Sequence, residues 1–235
     1  MQKSRKIQEI FRLLLNRFGP QHWWPGDTPF EVMVGAILTQ QTSWKNVEKA
    51  IRNLKERGLL SPIEIYHLEE RKLAEIIRPA GFYNIKALRL KAFVKFFAEE
   101  FDSDTEKMKK SNLFVLREKL LSLKGIGRET ADSILLYALD EPIFVVDAYT
   151  KRIVHRADIS QSNDYEEIRK MFEKSLGERD FLAELKKSGI KSDLVYVFQE
   201  MHALIVAEGK LYCKKTPVCS NCPLENICMK RGVLQ

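Results

Sequence analysis

The first 212 of the 235 residues contain no cysteine. A disulfide framework spreads its bridges across a fold, so cross-linking of the body of this chain is excluded. No apolar run approaches the ~18 residues that a membrane-crossing helix needs, so no membrane partner is expected. The opening MQKSRKIQEIF carries charge but no apolar stretch with a small-residue cleavage site. No secretion signal is therefore expected, and a cytoplasmic location, nucleoid-associated in a prokaryote, follows. No internal repeat, low-complexity tract or flexible linker breaks the chain. Tryptophan is scarce, at Trp23, Trp24 and Trp44 only. What is present is globular in balance, with 45% hydrophobic and 30% charged residues, which argues against disorder. A net charge of +7 permits a nucleic-acid partner without establishing one.

The period is helical almost throughout. Ile7, Ile10, Phe11, Leu14, Leu15 and Phe18 form one apolar stripe, and Gly19-Pro20 ends it. Further helices are predicted over about 30–40, 43–57, 69–78, 84–101, 112–122, 129–139, 148–157, 164–176, 178–188 and 191–208. Punctuation is expected at Gly58, Pro62, Pro79 and Gly81, and in the polar run 102–110. The one strand-like run, Ile143–Val146, is too short to build a sheet. The fold class is all-α, with ten or so short helices.

Three local features carry chemistry. Cys213, Cys219, Cys222 and Cys228 fall in the pattern C-x5-C-x2-C-x5-C. Four thiolates this close hold a [4Fe–4S] cluster or a tetrahedral Zn²⁺, and spacing alone leaves both open. The segment Leu123–Ala131, LKGIGRETA, joins two helices. Its glycines, Gly125 and Gly127, allow a tight turn with φ > 0. Backbone N–H groups there face outward near the next helix start and suit a phosphate oxygen. The same pattern also serves a plain αα-hairpin, with Leu123 and Ile126 as apolar anchors. Asp147 follows the apolar run 143–146 and precedes a helix, so it reads as an N-cap and also as a carboxylate facing a cleft.

LKGIGRETA resembles the helix-hairpin-helix of the endonuclease III family of DNA glycosylases, with Lys124 where that pattern has proline. Val146-Asp147 follows at the family-like separation, and the C-terminal cysteines resemble the family's [4Fe–4S] ligands, with the first interval one residue shorter. L-T-Q-Q-T at 38–42 resembles the stretch whose glutamine, here Gln41, fills the gap left by a flipped base. W-W-P at 23–25, Trp44, the V-D-x-Y at 146–149 and the glutamate after Arg128 look most like the 3-methyladenine branch. The resemblance runs from about residue 29 to Cys228.

That resemblance implies a two-lobed fold. Residues 28–135 would form a central module carrying the hairpin 123–131. Residues 1–27 plus 136–212 would form the second lobe, and 213–228 the cysteine loop, with the active cleft between the lobes and Asp147 at its edge. It implies a monomeric enzyme acting on double-stranded DNA that contains damaged bases. Asp147 would assist departure of the base, which sits among Trp23, Trp24 and Trp44. Gly125, Gly127 and Arg128 would contact the DNA backbone; Lys214 and Lys215, on the loop between the first two cysteines, read either as phosphate contacts or as a solvated surface pair. Bifunctional members carry a Schiff-base lysine where this chain has Glu129, so a monofunctional glycosylase is implied. Indole faces suit cationic alkylated purines, and Glu129 would add a negative field near the pocket. The alternatives are a uracil, thymine-mismatch or adenine glycosylase of the same fold, or a non-catalytic damage-binding protein. The cofactor implied is a [4Fe–4S] cluster, with Zn²⁺ as the alternative.

Overall fold

A computed structural model describes residues 2–24 and 26–233. These form thirteen α-helices and no strand. The chain divides into two compact units, Trp24–Glu141, and Met1–Trp23 with Pro142–Gln235. Pro25 of the W-W-P run lies outside the described residues.

The unit Trp24–Glu141 contains α2 (Pro29–Leu38), α3 (Trp44–Lys55), α4 (Pro62–His67), α5 (Glu70–Ile76), α6 (Tyr83–Phe101), α7 (Thr105–Lys109), α8 (Leu113–Ser122) and α9 (Arg128–Ser133). A 3-10 turn, Arg78–Ala80, precedes α6, and a π-helical segment, Ile134–Ala138, continues α9. Helix α2 is the centre: every residue from Phe30 to Leu38 is buried, as a helix apolar on all faces requires. It packs against α3, α6, α9 and the π-helical segment. Thr28 caps it, accepting the Glu31 N–H, with Pro29 in the first turn.

Two of these helices fall where the sequence signals breaks. Pro62 does not interrupt; it opens α4, behind Ser61, whose side chain accepts the Glu64 N–H. Proline suits a first turn, whose N–H groups have no helical partner anyway. The polar run 102–110 contains α7, nucleated by Asp104 accepting from the Glu106 and Lys107 N–H groups.

The second unit contains α1 (Gln2–Phe18), α10 (Ala148–Arg156), α11 (Tyr165–Leu176), α12 (Arg179–Lys187) and α13 (Leu194–Leu211). Helix α1 buries Ile7, Ile10, Phe11 and Leu14 against α11 and α13, and α10 packs on α13. Ile143–Val146 is buried but pairs with no strand. Side chains take two of its donors instead: the Phe144 N–H reaches Glu173 at 2.9 Å, and the Val146 N–H reaches the Tyr165 hydroxyl at 3.3 Å.

Candidate functional site

Asp147 is the N-cap of α10. Its Oδ1 accepts the Thr150 N–H at 2.7 Å and the Thr150 hydroxyl at 2.8 Å. The N-cap expected from the sequence is thus present. Asp147 Oδ2 stands 3.7 Å from His202 Nε2 on α13. Burial alone pushes the Asp147 carboxyl upward, but His202 and the Thr150 bonds outweigh it and hold it below the usual carboxylate value. The group is thus an ionised carboxylate that is only 9% exposed. His202 was not visible as a partner in the sequence, because it lies 55 residues from Asp147 and no local motif marks it.

The hairpin connects α8 and α9. Gly125 has φ +89°, the left-handed region that favours glycine. A Cβ there would meet the Arg89 side chain at 2.3 Å. Gly127 departs from expectation: at φ −93°, ψ 177° it is extended, so only Gly125 needs positive φ. Gly127 is the N-cap of α9, has no side-chain cap bond, and has nothing within 4 Å of where a Cβ would stand. Ile126 is buried, Leu123 is half-buried, and Arg128 and Glu129 are exposed. Beneath the turn, Arg117 and Asp132 form a buried bidentate ion pair between α8 and α9, at 2.6 and 3.1 Å.

The two glutamines of L-T-Q-Q-T differ. Gln40 Nε2 donates to the Gly125 carbonyl at 3.0 Å and to the Thr130 hydroxyl at 2.9 Å, and Arg89 donates to Gln40 Oε1. Gln41 is exposed, with φ +54°. Phe82, which sequence reasoning passed over, is 63% exposed and also left-handed, with φ +46°. Its signal in the sequence was its place beside Gly81, between a helix stop and a helix start.

The tryptophans separate. Trp24 meets Trp44 edge-on at 5.2 Å and Tyr137 at 5.1 Å. Both indoles lie over Gly35 of α2, where a Cβ would stand 3.3 Å from Trp24 Nε1 and from Trp44 Cη2. Trp44 Nε1 is buried without a hydrogen-bond partner. Trp23 instead packs on His202, with ring centroids 5.5 Å apart, and Lys210 Nζ lies 5.9 Å from its ring. Tyr137 and Gly35 were missed because neither carries a motif; only packing reveals them.

Cys213, Cys219, Cys222 and Cys228 are free thiols that line one cavity with Arg156, Glu208 and Tyr212. Among the described residues no three His, Cys, Asp or Glu side chains gather closely enough to hold a single ion. The donor set fits a thiolate-bound group: the Leu224 and Lys230 N–H groups point at the sulfurs of Cys222 and Cys228 at 3.4 Å, and Arg156 reaches that of Cys213 at 3.3 Å. Helix α10 grips this loop. Arg152 donates to the Cys213 carbonyl at 2.7 Å, and Arg156 to those of Lys214 and Lys215 at 2.7 and 3.0 Å. The Lys214 and Lys215 side chains stay exposed. No helix among the described residues is long and apolar enough to cross a membrane.

The model of the HhH-GPD superfamily of base excision DNA repair proteins matches residues 34–178. A provisionally named DNA repair glycosylase of Methanocaldococcus jannaschii is 48% identical over 232 residues, covering 97% of this chain and 98% of the relative. Endonuclease III of Thermotoga maritima is 27% identical, covering 94% and 92%. Among solved structures, the 3-methyladenine DNA glycosylase of H. pylori bound to 1,N6-ethenoadenine matches with TM-score 0.77 and 32% identity, over 88% of this chain and 97% of that one.

Proposed function

This chain belongs to the HhH-GPD superfamily of base excision DNA repair proteins, and on that premise we propose that it is a monofunctional DNA glycosylase that releases alkylated purines such as 3-methyladenine. The observation that carries the proposal is Asp147, a buried carboxylate kept ionised and fixed by Thr150. Breaking an N-glycosidic bond sends the bond pair to the base and leaves positive charge on the sugar. A fixed negative group in a dry setting stabilises that charge. The oxygen of a water then bonds to C1′, and the water's proton passes through Asp147 to solvent.

Base choice is assigned to the aromatic cluster of Trp24, Trp44 and Tyr137. A cation over an indole face gains about 0.5–2 kcal/mol, and stacking adds about 1–3 kcal/mol. Alkylated purines are cationic and weakly held to the sugar, so a modest catalyst suffices. Glu129 at the start of α9 cannot form the Schiff base that strand cleavage by a lysine requires; it supports the monofunctional assignment and contributes a negative field. The 32% identity to a 3-methyladenine glycosylase supports the same substrate class.

Double-stranded DNA is the proposed partner. The N–H groups at Gly125–Arg128 and the side chains of Arg128, Lys214 and Lys215 take the phosphates. Gln41 fills the stack left by the flipped base, and Phe82 offers an apolar wedge to a neighbouring step. Cys213, Cys219, Cys222 and Cys228 would hold a [4Fe–4S] cluster, with Zn²⁺ the other group that four thiolates suit. The bound group supplies a rigid cross-link of the loop that carries Lys214 and Lys215.

The test is release of free base from methylated duplex DNA, with borohydride trapping on the same samples. Release of 3-methyladenine without a trapped complex supports the proposal. A trapped complex would replace the monofunctional reading with attack by a lysine. No release would redirect the search to uracil, mismatched thymine or adenine. Asp147→Asn separates enzyme from binder: an enzyme loses turnover and keeps DNA affinity.

A further inference from the structure

We infer that His202 and Trp23 are a positioning pair for Asp147, so that Trp23 acts on bond cleavage through His202 rather than as a wall for the flipped base. This rests on the glycosylase reading above. The two oxygens of Asp147 have different jobs. Oδ1 takes both Thr150 bonds and is committed to capping α10. Oδ2 is the oxygen left for the reaction, and the neighbour that fixes its direction is His202 Nε2, 3.7 Å away. A carboxylate capped through one oxygen retains rotation about its Cβ–Cγ bond. An imidazole edge facing the other oxygen limits that rotation and favours the ionised form in a buried setting.

His202 is itself held. It is 4% exposed, and the Trp23 ring covers it at 5.5 Å with a 44° tilt. The loop carrying Trp23 is tied to the same helix, α13, at two further points. The Gln21 N–H donates to the Glu200 carboxylate, and Lys210 Nζ stands 5.9 Å from the Trp23 ring. Contacts at 200, 202 and 210 thus commit Trp23 to α13, whereas Trp24 is committed to Trp44, Tyr137 and Gly35. Two adjacent indoles therefore serve different steps: Trp24 recognises a base, and Trp23 sets the imidazole that sets the carboxylate.

The experiment measures single-turnover base release from methylated duplex DNA, and the Kd for a duplex bearing an uncleavable abasic analogue. The variants are His202→Leu, His202→Gln, Trp23→Ala and Asp147→Asn, with the double variants. His202→Leu is expected to slow release about tenfold or more, with Kd changed less than about twofold. His202→Gln, which keeps a polar edge toward Oδ2, is expected to recover part of the rate. Trp23→Ala should reproduce the rate loss without altering the preference for alkylated over neutral bases. On the Asp147→Asn background neither His202→Leu nor Trp23→Ala should slow release further, because a positioning residue acts only through its target.

An equal further loss on that background would overturn the inference, as would an unchanged rate in His202→Leu. A shift in base preference in Trp23→Ala would return Trp23 to the base pocket. Should His202→Leu fail to fold, judged by its thermal transition, His202→Gln and Trp23→Ala carry the same comparisons. If the unsubstituted protein releases no base, the glycosylase reading falls and the pair with it; if release survives Asp147→Asn, the role of Asp147 and the pair fall while the glycosylase reading stands. If Asp147→Asn abolishes the fast step while the His202 and Trp23 variants are silent, only the pair falls.

Discussion

Gln40 and Gly125 lie 85 positions apart in the chain and are joined by a 3.0 Å hydrogen bond from the glutamine amide to the glycine carbonyl. The bond fixes the hairpin turn from outside, and Arg89 completes the bracket through Gln40 Oε1. The adjacent Gln41 takes no part in it and is exposed in a left-handed conformation. Gln40→Ala is expected to lower stability by about 1–2 kcal/mol, read by urea unfolding. Gln41→Ala is expected to leave unfolding unchanged and to slow single-turnover base release about tenfold, since base flipping costs a few kcal/mol that a stack-filling residue offsets. The reverse assignment of effects would show that the roles are exchanged.

Much of this was legible from residue types. The cap at Asp147, the turn at Gly125 and the apolar stripe of α1 are local, and local chemistry reads directly from spacing. The short helices α4 and α7 were less legible, because Pro62 and the polar run 102–110 carry loop composition while Ser61 and Asp104 supply caps that make single turns viable. What sequence could not reach were long-range partners. His202 beside Asp147, Tyr137 beside Trp24, and Arg117 against Asp132 depend on tertiary packing, which no periodicity encodes. The motif resemblance pointed to a pocket of three tryptophans; which rings each one packs on, Trp24 with Trp44 and Tyr137 and Trp23 with His202, only the packing shows.

Gly35 sets how closely the recognition cluster packs. Its missing Cβ lets Trp24 and Trp44 rest on α2, 3.3 Å from where that atom would stand. Gly35→Val is expected to push both indoles off the helix, with an overpacking cost of about 1–3 kcal/mol. Tryptophan fluorescence should shift toward the solvent-exposed value, and the rate on alkylated purines should fall while Kd for abasic-analogue duplex holds. An unchanged rate alongside a shifted spectrum would remove this cluster from base recognition.

Arg117 and Asp132 weld α8 to α9 through two hydrogen bonds in a buried setting. Removing one partner leaves the other charge buried. Asp132→Leu is therefore expected to cost about 3–5 kcal/mol in urea unfolding. Arg117→Met combined with Asp132→Leu should regain part of that loss, since an apolar pair of similar size then replaces the buried charges. Equal loss in the single and double variants would show that the pair adds net stability beyond its own desolvation.

Lys86 is 1% exposed, and its ammonium donates to the carbonyls of Leu38 at 2.9 Å and Ala80 at 2.7 Å. It thus closes the end of α2 just before the Gln40–Gln41 segment. Burial, with Arg89 as a nearby like charge, pushes its pKa from 10.5 down to about 8. The unfolded chain holds this proton more tightly than the folded one, so the desolvation penalty is fully present below about pH 8. It is relieved as pH rises toward 10.5. Stability should therefore rise with pH across that window through this group. Lys86→Met is expected to flatten that part of the stability profile, measured by denaturant unfolding at pH 7.5, 8.5 and 9.5. A variant with the wild-type slope would assign the pH dependence to other groups and leave Lys86 charged throughout.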